Sequence, residues 1–310
     1  NGEQDNYNYY IYIENKDPNM PEIALLTDSV SDLIPEDIIG LPIKIVPLKI
    51  DLNGELLKDG IEMSKDEFWQ KMVNSRDEED LKLKTSQPSP QDFLNAYNKL
   101  FEKGYKKIIS VHPSSKLSGT AQAARVGRSL TNREDDIELV DSMGGSLLQG
   151  ILVLEAAKKA VKKESFGEII NWINSYKNKG KLLMIVPDLK YLEKGGRIGK
   201  AGSAIAGMIQ LKPILTVSQG EVTIEKKVIG ERNAQKYIEK YVKDESRKQS
   251  LVVCTCWGGG PEELENISKI HSEIGESSKI TFAILNRQIG AVIGCHTGPV
   301  YGVFMFPKLS

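Results

Sequence analysis

The segment Ser114-Ser115-Lys116-Leu117-Ser118-Gly119-Thr120 gathers hydroxyls and a glycine between two regular runs. Lys106 to Val111 before it reads as a short β-branched strand, and Ala121 to Leu130 after it as a helix. A loop so placed sets Ser and Thr oxygens beside the unpaired amides of a helix N-terminus, where the helix dipole favours negative charge. That chemistry is anion binding. An ordinary N-cap uses the same residue types, so the loop alone leaves both readings open. His112 sits at the head of the loop as a supporting group for Ser118. Ser118 as a hydrolase nucleophile is a third reading, but no Gly-x-Ser-x-Gly elbow surrounds it.

Other chemistry-bearing residues are scattered. Gly195-Gly196-Arg197-Ile198-Gly199-Lys200 invites comparison with a phosphate-binding Walker A loop and fails it. Three residues, not four, separate Gly195 from Gly199, and Ala201 stands where Ser or Thr should follow the lysine. No nucleotide site is recognisable, and Arg197 is left either in a flexible basic connector or as a guanidinium for a phosphate or a partner. His296 lies in an uncharged run ahead of Thr297-Gly298-Pro299, as a buried core histidine or as a donor to a carboxylate or phosphate. His271 falls on a polar helix face and reads as solvated. Cys254 and Cys256 alternate along a strand, so their thiols share one side. With no second pair at metal-ligand spacing they read as buried structural residues, and no metal or other cofactor is expected.

The elements that must position these groups alternate. Strand Ile23 to Leu26 ends in Thr27-Asp28-Ser29, a short helix follows over Asp32 to Gly40, and Ile43 to Ile50 reads as a strand interrupted by Pro47. Asn53-Gly54 marks a turn. Ser64 opens a helix to Val73, Leu81 to Lys84 is strand-like, and Thr85-Ser86-Gln87-Pro88 leads to a helix capped by Ser89 with Pro90 at its first position. Strand 106–111, helix 120–130, strand 137–140 and helix 146–163 continue the alternation. It predicts a mainly parallel sheet with helices on both faces, in which ligands sit at the carboxyl ends of strands. Thr27-Asp28-Ser29, the 112–119 loop and Asp141-Ser142 all fall at such ends. Beyond Phe166 the pattern changes to a small-residue helix, Ala201 to Met208, and a hairpin of Ile214 to Val217 with Glu221 to Lys227. Helices over 233–243 and 261–274 and strands over 251–256 and 280–285 complete a second, mixed α/β domain. Gln288 to Pro307 carries no charge but is broken by Gly294 to Pro299, which argues for a buried helix, a polar loop and a buried strand rather than a membrane span.

The chain has 310 residues, enough for two modest domains, and we divide it as 1–20, a disordered or tag-like extension rich in Asn and Tyr, 21–164 and 165–310. A net charge of −1 gives no reason to expect nucleic acid as a partner. Three cysteines are too few and too odd in number for a disulfide framework. With no basic-then-apolar leader in the sequence, this implies a reducing, cytoplasmic setting.

Taken in order, these segments resemble the DegV family of bacterial fatty-acid-binding proteins. The resemblance runs from Ile23 to about Phe304. It rests on Thr27-Asp28-Ser29, Val46-Pro47-Leu48, Thr85-Ser86-Gln87-Pro88-Ser89, Ser115-x-x-Ser118-Gly119-Thr120, Asp141-Ser142, Gly195-Gly196-Arg197-Ile198, Leu211-Lys212-Pro213-Ile214 and His296-x-Gly298-Pro299. It implies two α/β domains with one long-chain fatty acid, of the palmitate, stearate or oleate class, in a tunnel between them. It further implies a carboxylate held by Thr85, Ser118 and Gly119 with His296 close by. The family includes the non-catalytic binding subunit of bacterial fatty acid kinase. Its separate ATP-binding kinase subunit converts the presented carboxylate to an acyl phosphate for phospholipid synthesis, and Arg197 resembles the arginine implicated in work with that kinase. Two stretches depart from the family pattern: Val300-Tyr301 after the His296 motif, and Cys254-Thr255-Cys256-Trp257. A passive fatty-acid carrier or sensor, and a Ser118-dependent hydrolase, are the alternative functions.

Overall fold

Strand Ile23–Asp28, apolar as far as Leu26, is fully buried and flanked in the computed structural model by parallel partners on both sides. The structure describes residues 20–75, 82–204, 211–275 and 279–308. The expected extension, residues 1–19 of it, position 81 of the expected strand and 205–208 of the expected small-residue helix lie outside them. The last described piece of that helix, Gly199–Ala204, is 3-10 rather than α.

The chain divides into two compact units. One comprises the described part of Asn1–Lys49 together with Ser86–Lys177, the other Ile50–Thr85 and Asn178–Ser310. The first unit's sheet, among the described residues, runs Ile43–Val46, Ile23–Asp28, Lys107–His112, Ile137–Asp141, every pair parallel. Helices Pro90–Glu102 and Thr120–Ser129 pack one face through Phe93, Ala96, Tyr97, Leu100, Ala123 and Ala124 against Ala24, Leu26 and Ile108. Their i, i+3, i+4 spacing makes one apolar stripe per helix. Helix Leu147–Val161 is buried along most of its length, as a mean apolar character on all sides requires. Local signals were obeyed: the Ser89 hydroxyl accepts from the Asp92 amide while the Asp92 carboxylate takes the Ser89 N–H at 2.8 Å.

The second unit carries a mixed sheet in the order Glu221–Ile229, Leu211–Ser218, Lys181–Ile185, Val300–Pro307, Leu251–Gly258, Ile280–Gln288. All its pairs are antiparallel except the last. Helices Glu231–Lys248 and Pro261–Ile274 cover one face, with Ala234, Ile238, Val242, Ile267, Ile270 and Ile274 against Tyr301, Val303 and Met305. A small sheet of Glu55–Lys58, Lys49–Leu52 and Leu83–Ser86 belongs mainly to this unit.

Three expectations are corrected. The division at 164 fails because Ile50–Thr85, expected in the first domain, joins the second unit. Its helix Lys65–Asn74 docks there: the Trp69 indole donates to the Ile289 carbonyl at 2.9 Å and Lys65 Nζ to the Gln288 carbonyl at 3.0 Å. The expected single strand 43–50 is two strands in different sheets, Pro47 having no N–H to continue a ladder. The polar loop expected at 294–299 shrinks to Gly298-Pro299, because the helix Ala291–Thr297 runs through His296.

Candidate functional site

In the first unit, the ends of strands Lys107–His112 and Ile137–Asp141 build the hydroxyl loop. The Asp141 carboxylate accepts from the Ser115 amide at 3.0 Å and the Met143 amide at 2.7 Å. The Ser114 amide donates to the Gly144 carbonyl, and the Ser142 amide to that of His112. So anchored, the chain turns through Leu117 and Ser118, whose amides both return to the Ser114 carbonyl, and enters helix Thr120–Ser129 at Gly119. The half-buried Ser118 hydroxyl lies 2.8 Å from that of the buried Thr120 and accepts from the Thr120 amide at 3.3 Å. Gly119 has no side chain to cap the helix, and its bare Cα admits Gln87, whose Oε1 would lie 2.1 Å from an added Cβ. Sequence reasoning passed over Gln87 as a contact, although it stands in the Thr85-Ser86-Gln87-Pro88 run.

His112 does not support Ser118. It is fully buried at the end of strand Lys107–His112, with Nδ1 2.7 Å from Asp28 Oδ2 and Nε2 2.7 Å from Ser110 Oγ. Asp28 also accepts from the Val30 amide and from Gln149 Nε2. Gln149 Nε2 donates to Thr27 Oγ1 at 2.8 Å as well. This buried network ties the end of strand Ile23–Asp28 to helix Leu147–Val161 and to the strand that feeds the Ser114 loop. Both ring nitrogens of His112 being engaged, the hydrolase reading loses the base nearest to Ser118 in sequence.

In the second unit the structure brings together Thr85 and His296, 211 positions apart. Thr85 Oγ1 and His296 Nε2 are 2.8 Å from each other. Thr85 stands in strand Leu83–Ser86, and His296 in the helix that Phe68 and Trp69 grip through the bare Cα of Gly294. Burial first, and the Arg197 guanidinium second, pull the His296 pKa from 6.5 down to about 4. The imidazole is therefore neutral near pH 7. Arg197 is half-buried and donates from Nη1 to the Gly195 carbonyl at 2.6 Å. Short helix Lys190–Lys194 ends there, Gly196 taking a left-handed φ of 70°. Thr85 and His296 thus offer a hydroxyl and a neutral imidazole, polar groups that orient an anion without a salt bridge.

The remaining candidates are structural. Cys254 and Cys256 are buried and form no disulfide, and no metal-binding cluster occurs among the described residues. Tyr301, one of the departures from the family pattern, is 1% exposed, packs under the two long helices and donates to Glu231. His271 is not simply solvated: its ring meets Phe282 edge-on at 4.4 Å. No described helix is long and apolar enough to cross a membrane.

Comparison with known proteins finds relatives along nearly the whole chain. A family model described as an uncharacterised protein of the DegV family matches residues 22–308. A DegV domain-containing protein of Caldanaerobacter subterraneus subsp. tengcongensis is 34% identical over 295 residues, covering 93% of this chain and all of that one. Among solved structures, a fatty-acid-binding DegV family protein from Thermus thermophilus has a TM-score of 0.84 at 29% identity, covering 93% of this chain and all of the other. A stearic acid-binding protein from Eubacterium ventriosum has a TM-score of 0.80 at 25% identity, covering 93% and 99%.

Proposed function

Because the chain belongs to the DegV family, we propose that it binds one long-chain fatty acid and presents the carboxylate to a separate ATP-dependent kinase subunit. The observation that carries the binding half is the match, over 93% of the chain, to solved relatives that bind fatty acids. Thr85, Ser118, Gly119 and His296 are assigned to the carboxylate, and Arg197 to the kinase or to the phosphate it transfers.

The local chemistry supports the assignment. Each buried CH₂ of an acyl chain contributes about 0.8 kcal/mol, so the tail supplies most of the affinity and the head group needs orientation more than pairing. Hydroxyls and a neutral imidazole orient a carboxylate while leaving its oxygens nucleophilic, as attack on a γ-phosphate requires. A guanidinium clamp on both oxygens would lower that reactivity. The test is to mix the lipid-loaded protein with a bacterial fatty acid kinase subunit and ATP, and to trap acyl phosphate as the hydroxamate. Product only when all three are present supports presentation. Lipid that stays bound and is never phosphorylated, by any kinase subunit tried, supports the passive carrier instead.

A further inference from the structure

Two adjacent glycines precede Arg197, and they are there for different reasons. Gly196 needs its positive φ of 70°, with open space where a Cβ would stand. Gly195 does not: its φ of −75° and ψ of −11° suit any residue. What excludes a side chain at Gly195 is His296. An added Cβ would lie 2.4 Å from Nδ1 and 3.3 Å from Cγ of the imidazole, and 3.0 Å from the Tyr191 carbonyl oxygen. The ring nitrogen that closes on Gly195 is the one the hydrogen-bond network leaves alone: His296 Nδ1 is buried without a partner, while Nε2 meets Thr85.

A neutral imidazole carries one N–H. Placed on Nδ1, that proton would be a buried donor facing a Cα, the rarest kind of unsatisfied group in folded proteins. Nε2 would then have to accept the Thr85 hydroxyl proton, and Thr85 would have nothing to donate. Placed on Nε2, the proton is satisfied by Thr85 Oγ1, only a lone pair is left bare at Nδ1, and the Thr85 hydroxyl proton is free.

We infer that Gly195 is a positioning residue for this pair: its bare Cα holds His296 with Nδ1 unprotonated, so that Nε2–H donates to Thr85 Oγ1 and commits the Thr85 hydroxyl to donating to an anion. The inference deepens the fatty-acid reading and rests on it for the anion's identity, a carboxylate. The low His296 pKa is consistent with it, since it keeps the ring to a single proton near pH 7.

The experiment is a long-range proton–nitrogen correlation spectrum of the ¹⁵N-labelled full chain at neutral pH, whose three histidines make assignment simple with His296→Gln as reference. For His296 a protonated Nε2 and an unprotonated Nδ1 are expected. The reverse pattern overturns the inference. Gly195→Ala should disturb that pattern and weaken oleate binding by about tenfold or more. Gly196→Asn, which tolerates a left-handed φ, should leave both unchanged. Wild-type spectrum and affinity in Gly195→Ala would also overturn it. Should Gly195→Ala not fold, the wild-type tautomer decides alone. The expected tautomer in a protein that refuses every fatty acid would retire the fatty-acid reading while the Gly195–His296–Thr85 geometry stood.

Discussion

The neutral, buried state of His296 makes the protein acid-sensitive in a way that one substitution should remove. Folding lowers the pKa of this histidine from 6.5 to about 4. Above pH 6.5 it is neutral in both the folded and the unfolded chain, and its contribution does not vary with pH. As pH falls from 6.5 towards 4 the unfolded chain takes up a proton that the folded one refuses, so stability is lost across that window and levels off below it. The two pKa values put the loss at about 2 kcal/mol by about pH 5. Urea titrations followed by tryptophan fluorescence at about pH 7.5 and about pH 5, on the wild type and His296→Gln, isolate it, because every other titrating group is common to both proteins. The wild type should lose about 2 kcal/mol more than the variant between the two conditions. Equal losses would mean that His296 titrates alike in the folded and unfolded chains and is not held neutral by folding. Arg197→Gln should shrink the difference without abolishing it, burial being the larger cause.

Thr85→Val keeps the shape and removes the hydroxyl, which should weaken binding of a fatty acid by about 10- to 150-fold in a displacement titration, the worth of one hydrogen bond to a charged group. Ser118→Ala should cost a similar factor by the same assay and lower the thermal midpoint by about 2–4 °C, since the buried Thr120 loses the partner of both its hydroxyl and its first-turn amide. Asp28→Ala removes a carboxylate that takes hydrogen bonds from His112, Gln149 and the Val30 amide. Its unfolding free energy should fall by about 3–5 kcal/mol, and a shift below 1 would show the network to be dispensable.

The sequence was most legible where structure is local. Ser64, Ser89 and Ser165 each cap a helix in a reciprocal bond with an acid three residues on, a pattern visible in the residue order. The β-α alternation over residues 23–161 likewise announced a parallel sheet, because such a sheet needs a crossover for every pair. What depended on distant packing was not legible. Nothing near Trp69 tells that its indole will reach Ile289, so the segment carrying Thr85 was assigned to the wrong unit. His112 looked like a loop residue because the strand's last buried position and the first loop position read alike in sequence. His296 stands out from its own surroundings and Thr85 only by resemblance, and their bond spans 211 positions, so only the fold joins them.

Native mass spectrometry of the purified protein, followed by lipid extraction, is the test of fatty-acid binding itself. One fatty acid per chain, of one or two chain lengths, should be released on denaturation. A protein that purifies empty and takes up neither added oleate nor palmitate would contradict it.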